Sequence, residues 1–292
     1  MARSFRTSGS TVNELVDSRL RASAAGPCVP RLRLRSCGTM LSELRGRTAL
    51  ITGAAKRIGR ETACVLAQHG VNVVLHFNHS DTEVRELAAQ IEGLGVRAWP
   101  VQADFRRPEE YDTLVERGRE RAGSLDILVN NASIFPAEPL ETLTLSELSA
   151  NVEVNAWVPL ALSRQFAAAL NGQNGARGSI VNLHDTHLEG FDFVHAGYIL
   201  SKHMLATLTR MLAMELAPSI TVNAVAPGLI LPPPGADESY LTKNAHRLPL
   251  QRHGGPGDIA EAIVFLIRND FITGQVIHVD GGRHLQGYGT GS

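Results

Sequence analysis

Apolar and polar positions along the chain follow two regimes. Up to about residue 40 there is no sustained periodicity. From Thr48 onward, short apolar runs without alternation are separated by longer stretches with helical spacing. Such runs read as strands covered on both faces, because a strand wet on one side would alternate. They fall at residues 48–52, 71–77, 96–102, 127–130, 179–183, 220–226 and 275–279. Helical patterns between them cover residues 59–69, 81–94, 107–122, 145–170, 197–216 and 257–268. Ser80 or Asp81 can cap the second helix, and Pro218 closes the fifth. This alternation predicts a single α/β domain, a Rossmann-type doubly wound parallel sheet of about seven strands. Residues 230–249, with Pro232-Pro233-Pro234-Gly235, predict one long irregular loop placed to act as a lid.

Composition narrows the classes. The 292 residues are 43% hydrophobic and 20% charged, enough to bury a core without disulfides. A net charge of -1 argues against a generic nucleic-acid or anionic-membrane binder, which needs a basic excess. No apolar run reaches the roughly 18–20 residues that span a bilayer. Three cysteines without C-x-x-C spacing exclude a disulfide framework and give no metal site. The expectation is a soluble cytoplasmic enzyme acting on a small molecule.

The charge balance conceals an asymmetry. Residues 1–39 hold seven arginines, no lysine and two acids, a net +5 that leaves -6 for residues 40–292. The segment is Ser-rich, carries Cys28 and Cys37, and has no apolar core of the kind a secretory signal needs. It reads as a disordered leader, or as sequence upstream of a start at Met40. An organelle transit peptide is the alternative. Without a secretory signal, the glycosylation patterns Asn78-His79-Ser80 and Asn131-Ala132-Ser133 read as chance matches.

Candidate chemistry begins where the first strand meets the first helix, at Thr52-Gly53-Ala54-Ala55-Lys56-Arg57-Ile58-Gly59. Gly53 permits a tight turn and Gly59 a close backbone approach. The free N–H groups of the helix start then face a pyrophosphate. The second strand ends His76-Phe77-Asn78-His79-Ser80, without the acid that an NAD-selective site places there for the ribose 2′-hydroxyl. Arg57 stands where a middle glycine is usual, and Lys56, His79 and Ser80 can face a 2′-phosphate. NADPH is therefore favoured over NADH, unless these are only solvated surface residues. After the fifth strand, Tyr198 and Lys202 share a helix face at i and i+4. An ammonium near the phenol favours tyrosinate and lowers its pKa from about 10, suiting Tyr198 to proton transfer.

With these residues in order, the sequence resembles the short-chain dehydrogenase/reductase family over about residues 45–285. The resemblance rests on Thr52 to Gly59, Asp104, Asn130-Asn131-Ala132, Asn155, Tyr198, Lys202, Pro227-Gly228 and Asp280-Gly281-Gly282. It implies Asp104 at the adenine, Asn131 and Ala132 along the cofactor channel, and Lys202 on the nicotinamide ribose. It further implies Asn155 holding a relay water, and Pro227 and Gly228 beside the nicotinamide. A homotetramer through the helices at 145–170 and 197–216 is implied by the same resemblance.

One departure is informative. The family's serine, thirteen residues before the tyrosine, is Asp185 here. An ionised carboxylate only accepts hydrogen bonds and cannot copy a hydroxyl. Together with the Thr52–Gly59 turn, the His76–Ser80 segment, Asn131-Ala132-Ser133-Ile134-Phe135 and the ending Arg283-His284-Leu285, it is similar to pteridine and dihydromonapterin/dihydrofolate reductases. That likeness implies an NADPH-dependent reduction of a pterin C=N bond. Phe135 would stack on the ring, Ser133 would bond it or the cofactor, and Asp185 would assist Tyr198. Packed into the core, Phe135 would have no such role. A carbonyl or 3-oxoacyl reductase is the alternative, with Thr186 as the nearby substitute hydroxyl. A non-catalytic NADPH-binding scaffold is the third, against which Tyr198, Lys202 and Asn155 stand.

Overall fold

The computed structural model describes residues 43–171, 176–189, 192–233 and 235–286. The leader assigned to residues 1–39 and its boundary at Met40 lie outside the described residues, as does Pro234.

Strands β1 (Thr48–Ile51), β2 (Asn72–Phe77), β3 (Ala98–Gln102), β4 (Ile127–Asn130), β5 (Gly178–Leu183), β6 (Ile220–Pro227) and β7 (Val276–Val279) form one sheet in the order β3-β2-β1-β4-β5-β6-β7. Every pairing is parallel, with Leu50 opposite Val74 on one side and Leu128 on the other. The order reverses beside β1, so its carboxyl end and that of β4 open a crevice. All residues of β1, β4 and β5 are buried, which is why their runs do not alternate.

Helices cover both faces: α1 (Arg57–Gln68), α2 (Asp81–Glu92), α3 (Pro108–Tyr111), α4 (Leu114–Ala122), α5 (Leu145–Val152), α6 (Val158–Asn171), α7 (Ala196–Glu215), α8 (Ser239–Ala245) and α9 (Pro256–Arg268). On one face Leu66, Ile91 and Ile263 pack against Ile51 and Leu75; on the other Leu114, Phe166 and Leu212 pack against Leu50 and Ile180.

Three expectations change. The helix at 107–122 divides at Thr113, whose dihedrals (φ -110, ψ 1) leave the helix. Arg117 stitches the break by donating to the carbonyls of Glu110 (2.7 Å) and Gln102 (3.0 Å). The helix at 145–170 carries a π-helical turn at Glu153–Trp157 between α5 and α6, with Asn155 inside it. The loop at 230–249 is not irregular throughout. It contains α8, whose Leu241 is buried with Leu229 and Leu248 in a small core separate from the other two. That contact between distant residues gives a short helix the burial its own length cannot supply.

Candidate active site

The crevice is built on Thr52. Its hydroxyl oxygen accepts the backbone N–H groups of Asn131 and Ala132 (both 2.9 Å), and Asn131 Nδ2 returns a bond to the Thr52 carbonyl at 2.7 Å. Gly53 takes a left-handed φ of +63. A Cβ on Gly59 would lie 2.3 Å from the Gly53 carbonyl oxygen and 2.6 Å from Asn131 Nδ2, so the turn closes only around glycine. Ile58 packs partly buried against the core beneath. The α1 N-terminus has no side-chain cap and no acid in its first turn, leaving its N–H groups and dipole for an anion.

Beside it lies a cleft of about 230 Å³, lined by Gly53, His76, Asn78, His79, Asp104 and Arg106 on one side and Ala132, Ser133 and Ile134 on the other. Asp104 accepts the Arg106 backbone N–H at 3.0 Å and donates its own to Glu110. Asn78 and Arg106 were not among the candidates from sequence. Their signal was position: one follows β2 directly, the other stands two residues after Asp104.

Several expected contacts differ. The His76 ring is buried and fully used: Nδ1 accepts from Gly53 N at 3.1 Å and Nε2 meets the Ala103 carbonyl at 3.0 Å. It stacks on Phe105 at 4.3 Å, and burial pushes its pKa down to about 4. It shapes the cleft and has no free atom for a phosphate. Lys56 pairs with Glu83 at 2.7 Å, and Arg57 donates to the Pro232 carbonyl at 2.9 Å. Neither lines the cleft. Arg57 does adopt the left-handed φ (+56) that explains glycine there in relatives of the motif. Ser80 stands just before α2 and makes no side-chain cap.

The second half of the site gathers beyond β5. Tyr198 Oη donates to Asp185 Oδ2 at 2.9 Å. Burial pushes the Tyr198 pKa well above 10, and the charge and acceptor of Asp185 push it further. This corrects the expectation that Lys202 draws the phenol toward tyrosinate. In this structure the carboxylate holds the proton on, and Lys202 Nζ donates to the Leu183 carbonyl at 2.7 Å, 5.5 Å from the Tyr198 ring. Burial pulls the Lys202 pKa down to about 8, against the opposing charge of Asp185. Burial would raise Asp185, but its bonds from His187 and Tyr198 outweigh that and leave its pKa below the ordinary value.

Asn155 is buried and committed to protein: Oδ1 accepts from Ile134 N (2.8 Å), while Nδ2 donates to the Ile134 carbonyl (3.1 Å) and Ser201 Oγ (3.0 Å). What it visibly does is pin the loop after β4 to α7. That loop carries Phe135, which is exposed, stacked on His195 at 3.9 Å and edge-on to Tyr198 at 4.6 Å. It is not a core residue. Asp192 Oδ2 holds His195 Nδ1 at 2.6 Å. Sequence reasoning missed both, since nothing in the local pattern marks a loop pair. Gly228 follows β6 where an added Cβ would fall 2.5 Å from Asp280 Cβ, so Pro227 and Gly228 bring β6 against the end of β7.

The model of the enoyl-(acyl carrier protein) reductase family matches residues 53–284. The chain belongs to the short-chain dehydrogenase/reductase family. It is an oxidoreductase of that family, whose members use NAD(P)H. The 3-oxoacyl-(acyl carrier protein) reductase FabG of Staphylococcus epidermidis is 31% identical over 246 residues, 82% of this chain and 99% of that relative. The oxidoreductase UcpA of Salmonella typhimurium is 32% identical over 266 residues, 84% of this chain and 97% of that relative. Among solved structures, the FolM alternative dihydrofolate reductase 1 of Brucella canis, complexed with NADP, is 34% identical with a TM-score of 0.79. That match covers 86% of this chain and 98% of the other. The Brucella suis protein of the same title, also with NADP, is 33% identical with a TM-score of 0.79 over 86% and 99%. No helix among the described residues is long and apolar enough to cross a membrane.

Proposed function

We propose that this protein is an NADPH-dependent reductase of a pteridine-type substrate in the biopterin, dihydromonapterin or dihydrofolate class. The observation that carries the reading is the fate of the two groups that could polarise a ketone. Where the family has serine stands Asp185, a carboxylate bonded to Tyr198. The hydroxyl next in sequence, Thr186 Oγ1, is buried and donates to Asp280 Oδ2 at 2.5 Å, which leaves Tyr198 Oη as the proton donor beside the carboxylate among the described residues. Neither Asp185 nor Thr186 offers a carbonyl oxygen a second donor beside Tyr198. A pterin, with N–H donors beside its C=N bond, suits an acceptor there. The likeness to two dihydrofolate reductase structures supports this reading, while the FabG relatives keep an oxoacyl reductase as the competing one.

The dinucleotide has a fitting cradle: Gly53 and Gly59 at the turn, the α1 N-terminus for the pyrophosphate, and Asp104 and Asn78 around the adenosine end. His79 and Arg106 line that end as hydrogen-bond donors for a 2′-phosphate. Bound NADPH supplies hydride. Lys202, close behind Tyr198 with Nζ on the Leu183 carbonyl, would hold the nicotinamide ribose. Phe135 holds the flat substrate ring over Tyr198, and Ser133, exposed at the cleft mouth, bonds ring or phosphate. Tyr198 gives its proton to the ring nitrogen as carbon gains hydride, so C=N becomes CH–NH. Asp185 keeps the phenol protonated until then and, with the free lone pair of Oδ2, holds one substrate N–H.

The same reading takes residues 40–292 as the enzyme and residues 1–39 as a leader. It places the protein in the cytoplasm as a homotetramer assembled on the exposed apolar residues of α7 and the π turn, among them Trp157, Met204, Met211 and Met214. The test is NADPH oxidation by the purified full chain with biopterin, dihydrobiopterin, dihydromonapterin, dihydrofolate and an acetoacetyl thioester. Turnover of at least one pterin is expected. Turnover of the thioester alone overturns the reading.

A further inference from the structure

Behind the Tyr198–Asp185 contact stands a second layer that the reaction as written does not use. Arg283, in the turn after β7, places Nη2 2.9 Å from His187 Nε2. A guanidinium has only donors, so Nε2 accepts and the ring proton sits on Nδ1. That proton is then donated to Asp185 Oδ1, 2.6 Å away, and the His187 backbone N–H reaches the same oxygen at 2.8 Å. Two donors fill Oδ1, and Oδ2 takes Tyr198 with one lone pair left for a substrate N–H. Between these residues Thr186 is held by Asp280, whose Oδ2 also takes the His284 backbone N–H (2.8 Å) and ring Nδ1 (2.9 Å). The segment after β7 thus grips both residues that follow Asp185.

We propose that His187 and Arg283 are positioning residues of the reacting centre: Arg283 fixes the His187 ring in its Nδ1–H form, and His187 orients Asp185 toward Tyr198. This rests on the reading that Asp185 and Tyr198 are the reacting pair. The groups facing Asp185 are Tyr198 and Lys202 from α7 and His184 and His187 from its own turn, with Arg283 and Asp280 one residue behind. Of these, His187 and Tyr198 hold the carboxyl below its ordinary pKa against burial. Loss of the His187 ring therefore raises that pKa, and Asp185 takes up its proton at a higher pH than in the wild type.

The experiment has two readouts on the full chain. Histidine 15N resonances, with His187 identified by its loss in His187→Asn, report the tautomer without any substrate. The Nδ1–H form is expected in the wild type, shifting toward the commoner Nε2–H form in Arg283→Met. In steady state, His187→Ala and Arg283→Met should lower kcat about tenfold and move its acidic limb up by about one pH unit. KM for NADPH should not change. His187→Asn, whose amide can stand in for Nδ1–H, should restore most of the rate and the limb. A wild-type Nε2–H form, or a pH profile of His187→Ala that superimposes on the wild type, overturns the proposal. If no pterin is turned over, the functional reading fails, while the spectrum still decides this one.

Discussion

Residue by residue, the site is organised around one carboxylate in a place that ordinarily holds a hydroxyl. Asp185 accepts the Tyr198 proton and, with burial, holds the phenol's pKa above its usual value. Tyr198→Phe should lower kcat by about 10²–10⁴ while leaving NADPH binding intact, measured by stopped-flow turnover and cofactor fluorescence. Lys202 sets the other limit. With its pKa drawn down to about 8, it loses charge as pH rises through that value. The activity should fall along a basic limb near pH 8, and Lys202→Arg should move that limb upward. An unshifted limb in that variant would assign it to another group. Asp185, Tyr198 and Lys202 were legible in the sequence because their spacing is set by one strand end and one helix. His187 and His195 were not, because they meet Arg283 and Phe135, residues far away in sequence whose proximity no local pattern encodes, and Arg106 offered only its place two residues after Asp104.

Among the elements, the sheet was legible because its central strands are buried on both faces and all its runs are too short to mimic helices of 10–20 residues. The π turn escaped notice because inserting one residue at 153–157 leaves the apolar spacing on either side intact. Helix α8 escaped because its only buried anchor, Leu241, pairs with Leu229 and Leu248 rather than with a sheet face. The glycine turn is the element most sensitive to change. Gly59→Ala drives a Cβ to within 2.3 Å of a backbone carbonyl, so the α1 N-terminus must move. Its NADPH affinity should drop at least tenfold, by fluorescence titration, with tertiary structure retained by near-ultraviolet circular dichroism. Unchanged affinity would place the pyrophosphate elsewhere. The Arg57 bond to the Pro232 carbonyl ties this turn to the start of the loop bearing α8. The glycine turn and that loop are therefore physically joined in the structure.

At the scale of the whole molecule, two buried imidazoles link stability to acid. His76 is held to about 4 and His184 to about 3, both by burial, against an ordinary value near 6.5. Below pH 6.5 the unfolded chain takes up these protons and the native one does not. Stability is therefore full above 6.5 and declines as pH falls toward 4, by about 3 kcal/mol for His76 alone. Thermal unfolding should show a Tm that drops steadily between pH 6.5 and 4.5, and a flat Tm would contradict this. The exposed methionines of α7 bear on assembly. On the proposal that α7 builds a tetramer, Met211→Glu combined with Met214→Glu should give smaller species than the wild type by light scattering, with the fold retained; equal masses would contradict that assembly.

The central claim is that the carboxylate at 185 selects a pterin over a ketone. It is tested most directly by the ratio of kcat/KM for dihydrobiopterin to that for an acetoacetyl thioester, measured in the wild type and in Asp185→Ser. The account predicts a wild-type ratio of at least about 100, which collapses in the variant as pterin turnover is lost. A wild type that prefers the thioester, joined to a variant that gains activity on it, would contradict the account.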